Sequence, residues 1–74
     1  MRTEIENKTT YYVYCVNHFA ERFNLSTKDS FNYLFEFGGM AYLEEFYDVE
    51  HLLSFSDAID DLTAVCRDNG GYLQ

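Results

Sequence analysis

The sequence predicts an all-α fold, a compact bundle of about four helices of which the third is short, forming one domain over residues 1–74. Three observations carry that expectation. Apolar residues recur at spacings of three and four, a Ser-led cap and paired glycines mark off the segments, and neither proline nor a low-complexity run interrupts them. A 74-residue chain buries only roughly 60% of the surface that its unfolded form exposes, so its core must be dense in large side chains. Seven Phe and seven Tyr supply that area. Fourteen aromatics are many for so small an interior, and Tyr is favoured at interfaces, so some tyrosines are expected to face a partner.

The first helix is expected from about Ile5 to Phe23. Tyr12, Val16, Phe19 and Phe23 follow at steps of four, three and four, and Ile5 lies seven before Tyr12. The run from Tyr11 to Val16 is aromatic and β-branched, which suits a strand, but the charged residues on either side fit helical turns better. Tyr11, Cys15 and His18 form a second, semi-apolar stripe. A helix apolar on more than one side is either sandwiched in the core or covered by another protein.

Asn24-Leu25 breaks the pattern, and Ser26 with Asp29 three residues on reads as the cap of helix two. Phe31, Leu34 and Phe35 continue it at helical spacing until Gly38-Gly39, where a left-handed residue can end a helix. A short third helix then sets Met40, Leu43 and Phe46 or Tyr47 on one side and Glu44 and Glu45 on the other. Tyr47 to Leu53 is read as a connector, because Tyr47, Val49 and His51 alternate with Asp48 and Glu50; a small two-stranded element there is the main alternative. Ser54 or Ser56 caps the last helix. Its apolar positions are Ile59, Leu62, Val65 and Cys66, its first turns carry Asp57, Asp60 and Asp61 where the helix dipole favours acids, and Asn69-Gly70-Gly71 closes it.

Charge divides the chain in two. Residues 1–35 hold four acids and four bases, whereas residues 36–74 hold nine acids and Arg67 alone, which accounts for the net charge of −8. Such a distribution favours a basic partner. It disfavours direct binding to nucleic acid or anionic lipid, since phosphate neutralisation needs clustered Lys and Arg. The first eight residues lack the apolar run of a secretory signal, and no stretch approaches the ~20 apolar residues needed to cross a bilayer, so a soluble, cytoplasmic protein is expected. In that setting Cys15 and Cys66 are read as reduced, buried thiols.

Little in the chain points to catalysis. Asp48, Glu50 and His51 stand close in sequence, but in a strand His51 points away from the two acids and in a helix Glu50 leaves the face of the other two. Cys15 and His18 are one helical turn apart, yet a structural zinc site needs four ligands, and only Cys66 and His51 remain to complete it. No nucleophile stands with a base and an orienting acid, and Gly38-Gly39 is too short for a phosphate-binding loop. A non-enzymatic domain without cofactor or metal is expected.

The stretch Met40-Ala41-Tyr42-Leu43-Glu44-Glu45-Phe46-Tyr47-Asp48-Val49-Glu50-His51, preceded by Leu25-Ser26 at a helix start, resembles a family of small uncharacterised bacterial all-helical domains. The matching positions are Tyr42, Leu43, Tyr47, Asp48, Val49, His51, Asp60 and Asp61, and the likeness covers most of the chain. Leu52-Leu53-Ser54-Phe55 departs from it, as members tend to be polar there. Members of that family are often encoded beside a protein resembling an ADP-ribosyltransferase, so the resemblance implies an antitoxin-like or accessory role with such a protein as mate. Together, charge and resemblance lead to an acidic interaction domain in which Tyr47, Asp48 and His51 make a specific contact with a basic partner and Asp57, Asp60 and Asp61 form its charged rim. A self-associating homo-oligomeric module, possible through the two flanks of helix one as a homodimer, is the alternative.

Overall fold

The computed structural model describes the backbone of residues 4–73 and the side chains from Lys8 to Leu73. The fold is all-α, with five helices in this range: α1 Glu4–Phe23, α2 Thr27–Glu36, α3 Gly39–Glu45, α4 Tyr47–Glu50 and α5 Phe55–Asp68. Four have seven residues or more. The segment read as a connector contains α4, a single helical turn, and no strand occurs among the described residues. Alternation misled there because Val49 points to solvent while Glu50 is buried, the reverse of what their polarity suggests.

Helix α1 is the spine. On it Tyr11, Cys15, Val16, Phe19 and Ala20 are buried, so both apolar stripes turn inward and the helix is sandwiched between α2 and α5. Tyr11 and Cys15 of the second stripe are as buried as Val16 and Phe19 of the first, while Tyr12, Phe23 and His18 stay half-buried. The side chain of Ile5 lies outside the described residues. Asn24 ends α1 in the left-handed region, at φ 56°.

Ser26 caps α2 as expected, its Oγ accepting from the Asp29 N–H at 3.0 Å. The face that α2 buries differs from the expected one. Ser30, Tyr33 and Leu34 turn inward, while Phe31 and Phe35 remain exposed. Ser30 goes in because its hydroxyl donates to the Val16 carbonyl at 2.8 Å, a small polar group whose one bond is satisfied against α1. Gly38 then turns the chain with φ 82°, and Gly39 starts α3 against the core. A Cβ on Gly39 would stand 2.8 Å from Leu34 Cδ2 and 3.1 Å from Cys66 Sγ, so α2, α3 and α5 converge on a position with no room for a side chain.

Ser54 rather than Ser56 caps α5, accepting from the Asp57 N–H at 3.1 Å. Ala58, Ile59, Leu62, Thr63 and Cys66 form its buried face. Beyond α5 the chain turns back. Asn69 Nδ2 donates to the Phe37 carbonyl at 3.0 Å, and the Leu73 N–H donates to the Tyr33 hydroxyl at 3.0 Å, fixing the end of the chain against α2. Both cysteines are free and fully buried.

Candidate functional site

The residues expected to form a partner site are brought together only in part. Tyr47 at the start of α4 and His51, its C-cap, lie one turn apart and stack, with ring centroids 4.5 Å apart and planes 7° apart. The ring of Tyr11 meets Tyr47 edge-on at 5.5 Å, and the Lys8 ammonium stands 5.3 Å above Tyr47. His51 Nδ1 also lies 2.7 Å from the Tyr47 carbonyl. Tyr47 is therefore committed to holding α4 on α1, with His51 as its outer cover. Asp48 is exposed to solvent beside them.

The three acids of α5 have three different environments. Asp57 is exposed in the first turn. Asp60 accepts from the Arg22 guanidinium, which also donates to the Ser56 carbonyl at 3.3 Å, so this acid ties α5 to α1. Asp61 is half-buried, and its charge acts on the Glu50 carboxyl. Adjacent helix positions diverge by about 100°, and that is enough to send Asp60 and Asp61 to opposite partners.

Glu50 is the residue whose role the sequence did not disclose. It is 2% exposed, although it is a carboxylic acid on a one-turn helix. Its Oε2 accepts from the Tyr42 hydroxyl at 3.0 Å, its backbone carbonyl accepts from the Tyr11 hydroxyl at 2.9 Å, and its Oε1 has no partner among the described residues. Burial, and then the neighbouring Asp61 carboxyl, push Glu50 up to about 7, so it holds its proton far above the usual carboxylate range. Burial and the bond to Glu50 likewise push the Tyr42 phenol up to about 12. A carboxyl that titrates near neutrality is in itself compatible with acid–base chemistry. Here that carboxyl is closed off from solvent and bonded to Tyr42. Among the described residues no group of three His, Cys, Asp or Glu side chains is placed to hold a metal ion, and His18 is stacked on Phe55 at 4.4 Å rather than grouped with Cys66 or His51.

A second feature lies on the other flank of α1. Val13 and Phe31, 49% and 44% exposed, border a groove of about 500 Å³ whose walls also include Tyr12, Val16 and Met40, and Phe35, 70% exposed, lines the hollow that shares Tyr12, Phe31 and Met40 with it. Phe31 and Phe35 stack on one another with centroids 6.1 Å apart. The groove continues past Phe35 to Ala41 and Glu44. Lys28 stands at one end and Glu44 at the other, close enough to Tyr12 that its charge, together with burial, raises the phenol of that tyrosine. The clue in the sequence was the excess of aromatic residues, which was expected to turn tyrosines outward; at this groove Phe31 and Phe35 are the rings that face out.

Residues 10–69 match the family model DUF3791, described as a protein of unknown function. The chain belongs to this family. The DUF3791 match begins at Thr10 in α1 and ends at Asn69, the C-cap of α5, so it takes in α2 to α5 whole, both flanks of α1, Glu50 and the apolar groove. No curated protein and no solved structure matches the chain.

Proposed function

We propose that this DUF3791 protein is a non-enzymatic interaction domain that binds a basic protein as an antitoxin-like or accessory subunit. The observation that carries the reading is the state of its acids. Of the nine in residues 36–74, Glu36, Glu44, Glu45, Asp48, Asp57, Asp60 and Asp68 are exposed, and of these only Asp60 meets a base among the described residues. Unpaired surface carboxylates of one sign raise the local concentration of a cationic partner and speed encounter, while apolar contacts set how long the complex lasts. In this reading Tyr47, Asp48 and His51 make the specific contact, and the exposed Asp57 and Asp60 with the half-buried Asp61 form its charged rim. The family resemblance supports an ADP-ribosyltransferase-like protein as mate, and an intracellular setting agrees with both thiols being free.

The test is affinity capture with the tagged chain from lysate of its source cell, washed at low and then at high salt and read by mass spectrometry. One stoichiometric protein of high isoelectric point that is retained at low salt and released at high salt is the expected result. Retention of no basic protein at low salt would refute the reading.

A further inference from the structure

We propose that the apolar groove between α1, α2 and α3 is covered in solution by a second copy of the same chain, related by a two-fold axis through its middle. This goes beyond the basic-partner reading and does not rest on it. Three features select a second copy as the occupant.

The first is self-complementarity of charge. Helices α1 and α2 run in opposite directions, since Thr27 bonds to Asn17 and Ser30 to Val16 while Phe31 stands near Tyr12 and Val13. The groove follows them, with Lys28 at one end, Tyr12, Phe31 and Met40 in the middle and Glu44 at the far end. A two-fold rotation about the middle lays Phe31 against Phe31 of the other copy and sets each Lys28 opposite the other copy's Glu44. An isologous interface requires this kind of pairing, in which a patch is complementary to itself.

The second is where the remaining charge lies. Helix α5, with Asp57, Asp60 and Asp68, packs on the opposite flank of α1, as the Arg22–Asp60 pair and the His18–Phe55 stack mark. Two copies joined through the groove therefore keep their most acidic helices apart. The third is the lining itself. Apart from its charged ends the groove presents Val13, Phe31, Phe35 and Met40, and aromatic side chains that are largely exposed in one copy become well-packed anchors in a pair.

Sedimentation equilibrium of the purified full chain tests the proposal. The expected species has twice the 8.7 kDa mass of the chain. F35D, an exposed position, should keep the helical circular dichroism and raise the dimer dissociation constant about tenfold or more. K28E should raise it roughly threefold by setting two acids together, and K28E/E44K should restore it, because the exchange leaves each end opposite a complementary one. The charge swap reports on the interface even where the apolar variant fails to fold. Added salt should tighten the dimer, by screening the −8 of each copy, whereas it should loosen a complex with a basic protein. A chain that stays monomeric at about 1 mM would overturn the proposal, as would a dimer whose dissociation constant is unmoved by K28E.

Discussion

The two flanks of α1 carry similar side chains and meet different fates. On the α5 side, Tyr11 and Phe55 stack at 5.9 Å, His18 lies on Phe55, Arg22 ties to Asp60 and Tyr11 reaches the Glu50 carbonyl, so every large group has a neighbour. On the α2 side, Val13 and the Phe31–Phe35 pair face outward although α2 makes the most extensive helix contact with α1. The difference comes from which face the neighbouring helix turns inward. Ser30 bonds to the Val16 carbonyl, and Tyr33 and Leu34 fill the contact beside it, which leaves Phe31 and Phe35 on the outer side of α2. Amphipathic spacing thus says that a face is apolar, and the rotation of the helix about its contact decides which of its residues are closed in.

The largest effect that separates the two kinds of position is expected in the core. Phe19, fully buried on the inner face of α1, should cost about 3–5 kcal/mol of stability as Phe19→Ala, whereas Phe35→Ala should stay within about 0.5 kcal/mol in dilute solution. Urea unfolding of the two variants at low chain concentration measures this. Equal losses would mean that the α2 flank is closed after all.

Next in size is the pH dependence built into the closed flank. The folded-state pKa of Glu50 is raised to about 7 from an ordinary 4.5, so the protonated acid is the form that the fold accommodates. The sign follows: its contribution is fully present below about pH 4.5 and is lost as pH rises through about 7, a loss of roughly 1–3 kcal/mol. Glu50→Gln keeps an acceptor for Tyr42 and supplies a donor toward Asp61. It should flatten that slope and leave the protein more stable than the parent at pH 8, as melts across pH 5–8 would show. A parent whose stability rises from pH 5 to 8 would contradict the assignment.

The smallest effect sharpens the account of how α5 enters. Ser54→Ala should cost about 1 kcal/mol through the lost bond from Asp57, and Ser56→Ala close to nothing. Thermal unfolding of both variants decides between the two serines that the sequence left open.

What was legible in the sequence follows from the range of the forces involved. Caps and helix stops are local, so Ser26 and Gly38-Gly39 could be read from neighbours, and α1, α2, α3 and α5 stand close to where periodicity put them. Residues 47–53 could not be read in that way. Their apolar members alternate, and the one-turn helix α4 forms because Tyr47 docks on Tyr11 and Tyr12, which lie some 35 residues earlier. Leu34 is core as expected, whereas Phe31 and Phe35 looked like core because only polarity was visible, and Ser30, its hydroxyl satisfied across a helix contact, turns inward in their place. Among the site residues, the exposure of Asp48 and Asp57 was foreseeable from charge. The separate ties of Asp60 to Arg22 and Asp61 to Glu50 depend on how α5 lies over α1 and α4, and no spacing encodes that.

The two cysteines give the molecule a gauge of its own opening. Cys15 on α1 and Cys66 on α5 are sealed from solvent, and burial pushes both thiols up to about 11, so a maleimide at neutral pH finds neither a thiolate nor a path to one. Labelling must then wait for the helices to part. Its rate at each thiol counts how often the spine and the last helix come away from the core, which makes the native chain a reporter of local against global unfolding with no probe added.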